Sequence, residues 1–195
     1  MQNSERGVLI VGGTSGVGLA TARQMASGGD RKIVLAGRNP QRGAGAVDEV
    51  RIIAPDADVA FVSVDARDQA QVRSMVAEAE AKLGRIDVVV NSTSTGYAPE
   101  LFFRTPAEDM APLLSDLVSA PMNVCRAVID GMRSRKSGVI VNVASDAAKV
   151  PTPGETVIGA AMAAIVMFSR TLALEARRDG IRVHALTPSL IKGTE

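Results

Sequence analysis

Six short apolar runs recur along the chain, and the segments between them are long enough to form helices. The runs are residues 8–11, 32–36, 59–64, 86–91, 139–143 and 182–186. Most are continuously apolar rather than alternating, which is the pattern of strands covered on both faces. Such an alternation of strand and helix leaves few solutions. Each parallel pair needs a crossover, crossovers are right-handed, and the helices must cover both faces of the sheet. The expected fold class is therefore α/β, a three-layer αβα doubly wound parallel sheet, in one domain over residues 1–195.

The intervening segments carry helix signals of their own. Asp68 is placed to cap a helix that carries Val72, Met75, Val76, Ala79 and Leu83 on one face, with Gly84 as its stop. Ala46, Val47, Val50 and Ile53 make a shorter stripe. Residues 107–132 read as one long helix with a kink or break at Pro121. Residues 155–178 begin apolar almost all round, so that helix is expected to be buried on both sides, against the sheet and against another subunit. Its most apolar part, residues 157–168, falls short of the roughly 20 residues that a membrane span needs.

Charge and cysteine usage narrow the function classes. The 195 residues hold 22 basic and 21 acidic side chains, a net charge of +1, with no basic block and 3% aromatics. Nucleic acid and anionic membrane are not the expected partners. One cysteine, Cys125, and one histidine, His184, allow neither a disulfide framework nor a ligand set for a metal. Both facts suit a reducing cytoplasm. Residues 1–6 are polar and lack the order of a signal peptide.

The most specific motif is Gly12-Gly13-Thr14-Ser15-Gly16-Val17-Gly18, which follows the first strand and opens a helix. A pyrophosphate needs bare backbone close by and helix N-terminal amides aimed at it, and glycine permits both. A loop that merely joins strand to helix is the alternative. The context favours a dinucleotide site of Rossmann type. About twenty residues on, the second strand ends in Ala36-Gly37-Arg38-Asn39. A carboxylate there would read the 2′-hydroxyl of NAD. Arg38 instead offers a fork of donors to the 2′-phosphate of NADP, and the alternative is a solvated loop arginine.

On these residues the chain resembles the short-chain dehydrogenase/reductase family over nearly all of residues 7–195. Gly12, Gly16 and Gly18 match that family's Gly-x-x-x-Gly-x-Gly turn, with Val11 where a threonine usually precedes it. The resemblance implies that Thr14, Ser15 and Val17 join the glycines at the cofactor, with Arg38 and Asn39 at the ribose. Asp65, followed by Ala66, matches an acidic residue that helps fix the adenine. Asn91 opens the segment Asn91-Ser92-Thr93-Ser94, of which only the first residue keeps the family pattern. Pro188-Ser189 matches a pair beside the nicotinamide, and Ile191 falls where backbone contacts the carboxamide. Ser145 matches the family's catalytic serine; its other reading is a satisfied hydroxyl at a strand end.

The resemblance also implies a tyrosine thirteen residues after Ser145 and a lysine four further on. Those positions hold Ile158 and Met162, and Leu117 is nearest the place of a supporting asparagine. The single tyrosine of the chain is Tyr97. Tyr97, Lys149 and Glu155 fall where substrate-facing residues are expected, yet each reads better as packing or solvated surface. His184 reads as a strand-end residue and Cys125 as core. The family normally continues for several dozen residues past this point, with a substrate-covering segment and a seventh strand. Three functions compete. The first is an NADP-linked oxidoreductase with an altered active site and a small-molecule substrate. The second is an inactive cofactor-binding or partner-binding subunit, forming a homo- or hetero-oligomer through the helix at 155–178. The third, a non-redox enzyme reusing the pocket, has no positive signature.

Overall fold

In the computed structural model, which describes residues 3–191, each apolar run is a strand. These are β1 (Gly7–Val11), β2 (Lys32–Gly37), β3 (Asp58–Ser63), β4 (Val88–Asn91), β5 (Gly138–Val143) and β6 (Ile181–Leu186). All pairings are parallel, in the order β3-β2-β1-β4-β5-β6. The chain steps outward from β1 to β3, then returns to lay β4 on the other side of β1. That reversal opens a crevice at the C-terminal ends of β1 and β4, where Val11 stands beside Asn91.

The helices are α1 (Gly16–Ser27), α2 (Pro40–Ile53), α3 (Gln69–Leu83), α4 (Ala107–Arg135) and α5 (Thr156–Ala176). Two apolar layers explain why the strands read as unbroken runs. Val8 and Ile10 of β1 pack with Ile33, Leu35, Ala22 and Val50 on the α1–α2 side. Leu9 and Val11, one residue out of phase, pack with Val34, Met75, Val124 and Val128 on the α3–α4 side. The sheet thus separates two cores, as a three-layer fold requires.

Local signals explain most boundaries. Asp68 caps α3 by accepting from the amides of Ala70 and Gln71, and Gly84 ends it at φ +79°. All five residues of the expected α3 stripe are buried. In α2, Ala46, Val47 and Val50 are buried, whereas Ile53, the last residue of the helix, is exposed.

Two expectations are corrected. Helix α4 runs unbroken through both Pro112 and Pro121. Pro121 removes one backbone donor, but it lies on the buried stripe with Leu117, Ala120 and Val124, whose packing holds the flanking turns. Second, the apolar stretch is longer than read: Thr156–Asp179 is long and apolar enough to cross a membrane, with a window of mean hydropathy 1.9 that is 28% buried. In the structure Ala161, Met162, Ile165, Ser169 and Ala176 are buried within the chain. The opposite side leaves Met167 and Leu174 exposed in the single chain, and this is the side expected to meet another subunit.

Candidate functional site

Backbone geometry makes the first wall of the site. Gly12 (φ +81°) and Gly16 (φ +51°) turn the chain between β1 and α1. The amides of Gly12 and Gly13 donate to the Ala36 carbonyl at 2.8 and 3.2 Å, fastening the turn to β2. A Cβ at Gly12 would run into the Ser92 carbonyl, and one at Gly18 into the Gly12 carbonyl. Glycine is therefore required for space as well as conformation. Ser15 precedes α1 without a side-chain capping bond, so its hydroxyl does not occupy the first amides, those of Gly16, Val17 and Gly18. Bare backbone and uncapped amides suit a pyrophosphate.

A cleft of about 190 Å³ opens in front of this turn. Gly12, Thr14 and Ser15 line it on one side, and Arg38 and Asn39 follow at the end of β2. The Arg38 side chain is exposed there. Asn39 is the cap of α2, its Oδ1 accepting from the Arg42 amide at 2.9 Å. Its side-chain oxygen is therefore committed to the helix, which leaves its Nδ2 and its backbone for a ligand. Asp65 and Ala66 line the cleft at the end of β3.

The Asp65 carboxylate is not free. It accepts from Nε of Arg67 at 2.9 Å and from Nη2 at 2.6 Å. These bonds hold its carboxyl at about 2, below the usual range, against the opposing effect of partial burial; the charges of Arg67 and Arg38 add to the lowering. The third nitrogen of Arg67, Nη1, donates to Asp116 of α4 at 2.9 Å. Two turns along α4, Asn123 donates to the carbonyls of Ala66 and Arg67 at 3.2 and 3.1 Å. Arg67 and Asp116 both line the cleft. Sequence reading passed over all three residues. Their one signal is the i, i+7 spacing of Asp116 and Asn123 beside the apolar stripe of α4.

Asn91 lies behind the cleft, 2% exposed. Its Nδ2 donates to Asn142 Oδ1 at 2.8 Å, and Asn142 donates onward to Ser169 Oγ at 2.9 Å. Asn91 Oδ1 has no hydrogen-bond partner among the described residues. The side chain thus ties β4 to β5 and α5. Cys125 sits in the same buried group, and burial pushes its thiol up to about 12. It is a core residue, as read from its helix face.

Ser145 and Pro188 come together at the ends of β5 and β6, where the Asp146 amide donates to the Pro188 carbonyl at 2.9 Å. Ser145 Oγ accepts from the Ala147 amide at 3.2 Å and donates to Asp146 at 3.3 Å. It caps the short turn Asp146–Ala148. Neither residue lines the cleft described above, nor does Ile191, the last residue described. Gly16, Val17, Gly18 and Asn91 lie around it without lining it.

Next to these ends, Tyr97 shares a second cavity of about 180 Å³ with Ile158, Val157 and Leu113. Met162 is 8% exposed in an apolar cluster with Leu113, Leu117, Ala144, Ala161 and Ile165, and Ile158 packs against it. No member of that cluster can give or take a proton. Lys149 and His184 are exposed, and Glu155 precedes α5 without a side-chain cap.

Comparison with known proteins agrees with this geometry. The family described as short chain dehydrogenase matches residues 6–195. NADP-dependent 3-hydroxy acid dehydrogenase YdfG of Salmonella typhi is 30% identical over 188 residues, 96% of this chain and 73% of that protein. Among solved structures, NAD+-bound xylitol dehydrogenase superposes with a TM-score of 0.90 at 28% identity, over 95% of this chain and 70% of that one. Gluconate 5-dehydrogenase from Burkholderia cenocepacia, in complex with NADP and tartrate, gives 0.86 at 28%, over 94% and 71%.

Proposed function

The chain belongs to the short-chain dehydrogenase family, and from that premise we propose that it is an NADP(H)-dependent oxidoreductase with an altered proton relay. Its substrate is a small molecule with a carbonyl, alcohol or activated C=C group. The observation that carries the cofactor preference is Arg38 on the cleft at the end of β2, where no carboxylate competes for the ribose. The names of the relatives include both NAD and NADP, so the preference rests on that arginine.

When bound, the nicotinamide supplies or accepts the hydride. The chain does the rest. The turn at Gly12–Gly18 and the uncapped amides of α1 receive the pyrophosphate. Arg38 pairs with the 2′-phosphate. Asn91, Pro188 and Ile191 belong to the nicotinamide end, and Ser145 offers the substrate oxygen one hydrogen bond once its hydroxyl turns away from Asp146. Ile158 and Met162 replace the expected tyrosine and lysine with aliphatic packing, which leaves a developing alkoxide without its usual acid. An enone suits such a site: hydride adds to the β-carbon, and water protonates the resulting enolate. We place the enzyme in a reducing cytoplasm, on its one buried cysteine, and assign the outer face of α5 to a second copy of the chain.

Calorimetric titration with NADPH and NADH tests this reading. Wild type is expected to prefer NADPH by about tenfold or more, and Arg38→Ala to erase the difference, as loss of a charge-assisted pair predicts. Equal affinities in wild type would refute the NADP preference. No binding of either would refute the cofactor site, leaving an inactive partner subunit.

A further inference from the structure

We infer that Arg67, rather than the Asp65 carboxylate, is the adenine-recognising residue, its guanidinium lying flat against the ring. The inference rests on the reading of the cleft as an NADP(H) site.

Three observations lead there. First, all three guanidinium nitrogens are engaged along the edge of the group: Nε and Nη2 with Asp65, Nη1 with Asp116. Three of its five N–H donors are spent on carboxylates, and the Nε–Nη2 fork is fully taken by Asp65. Its planar face stays open, and such a face stacks on aromatic rings. Second, the anchors come from different elements. Asp65 follows β3, Asp116 belongs to α4, and Asn123 fixes the intervening backbone through the Ala66 and Arg67 carbonyls. The plane is thereby held before any ligand arrives, which lowers the ordering cost on binding. Third, two carboxylates flank the guanidinium, so its charge is already balanced there and its face suits a neutral purine better than a further anion. The side chain remains 41% exposed while lining the cleft, so its face is reachable.

The same bonds leave Asp65 with little capacity to accept the adenine amino group. Both of its oxygens already receive Arg67, and Oδ1 also accepts from the Arg67 amide at 3.1 Å. Recognition by the edge and recognition by the face make opposite predictions.

Deamino-NADPH, which carries hypoxanthine in place of adenine, separates them, because it changes the edge of the ring and keeps its face. Calorimetry on wild type is expected to give NADPH and deamino-NADPH affinities within about threefold of each other. Arg67→Ala is expected to weaken both by about tenfold, the range of a partly desolvated cation–π contact. Arg67→Lys, which keeps the charge but not the plane, is expected not to restore them. Thermal midpoints of both variants, measured without nucleotide, show that the fold is kept. A loss of about tenfold or more for deamino-NADPH in wild type would overturn the inference, as would unchanged binding by Arg67→Ala or full recovery by Arg67→Lys. If wild type binds neither nucleotide, the cofactor reading itself fails, which is a distinct result.

Discussion

At the scale of single residues, the glycine turn and the cleft beside it follow from backbone freedom and charge. Gly12 is fixed by the Ser92 carbonyl and Arg38 stands at the end of β2, and both placements were legible because each depends on local sequence. Cys125 gives a residue-level prediction. Burial penalises the thiolate and moves the thiol up to about 12, so at pH 8 almost none is ionised. Ellman's reagent is expected to label the native protein at least about tenfold more slowly than the unfolded chain. Equal rates would show that the Asn91–Asn142–Cys125 group is open to solvent. The pairing of Arg67 with Asp116 was not legible, because it joins residues 49 apart whose meeting depends on how α4 docks. Asn39 lines the cleft and also caps α2 through its Oδ1, a local role that the glycine motif does not reveal.

At the scale of elements, α3 was readable from end to end. Its cap, stripe and stop are each local, and the structure keeps all of them. Asp68→Ala removes the acceptor of two amides and is expected to cost about 1 kcal/mol. For a chain of this size that lowers the thermal midpoint by roughly 2–4 °C. A midpoint unchanged within error would mean that water satisfies those amides equally well. Helix α4 misled for the converse reason. A proline weighs heavily against a helix when only its own turn is considered, yet 29 residues with a buried face outweigh one missing donor. The apolar character of α5 likewise comes from two different sources. One side faces the sheet and α4, while the other exposes Met167 and Leu174.

At the scale of the whole molecule, the sheet order places the glycine turn, Arg38, Asp65 and Asn91 at the C-terminal ends of neighbouring strands, although alternation alone does not dictate which strand adjoins which. The outer face of α5 carries the whole-molecule prediction. Wild type is expected to elute from gel filtration at a multiple of its 20.3 kDa chain mass, and Met167→Glu with Leu174→Glu at the single-chain value. A wild-type monomer would remove the assignment. The apolar cluster around Met162 also sets how that region can be changed. A lysine at that position, introduced alone, would bring an ammonium among Leu113, Leu117 and Ile165. Ile158 borders the cavity shared with Tyr97, so a tyrosine there can point its hydroxyl into open space. The two neighbouring positions are therefore not equivalent: one resists a charge, and the other has room for a polar group.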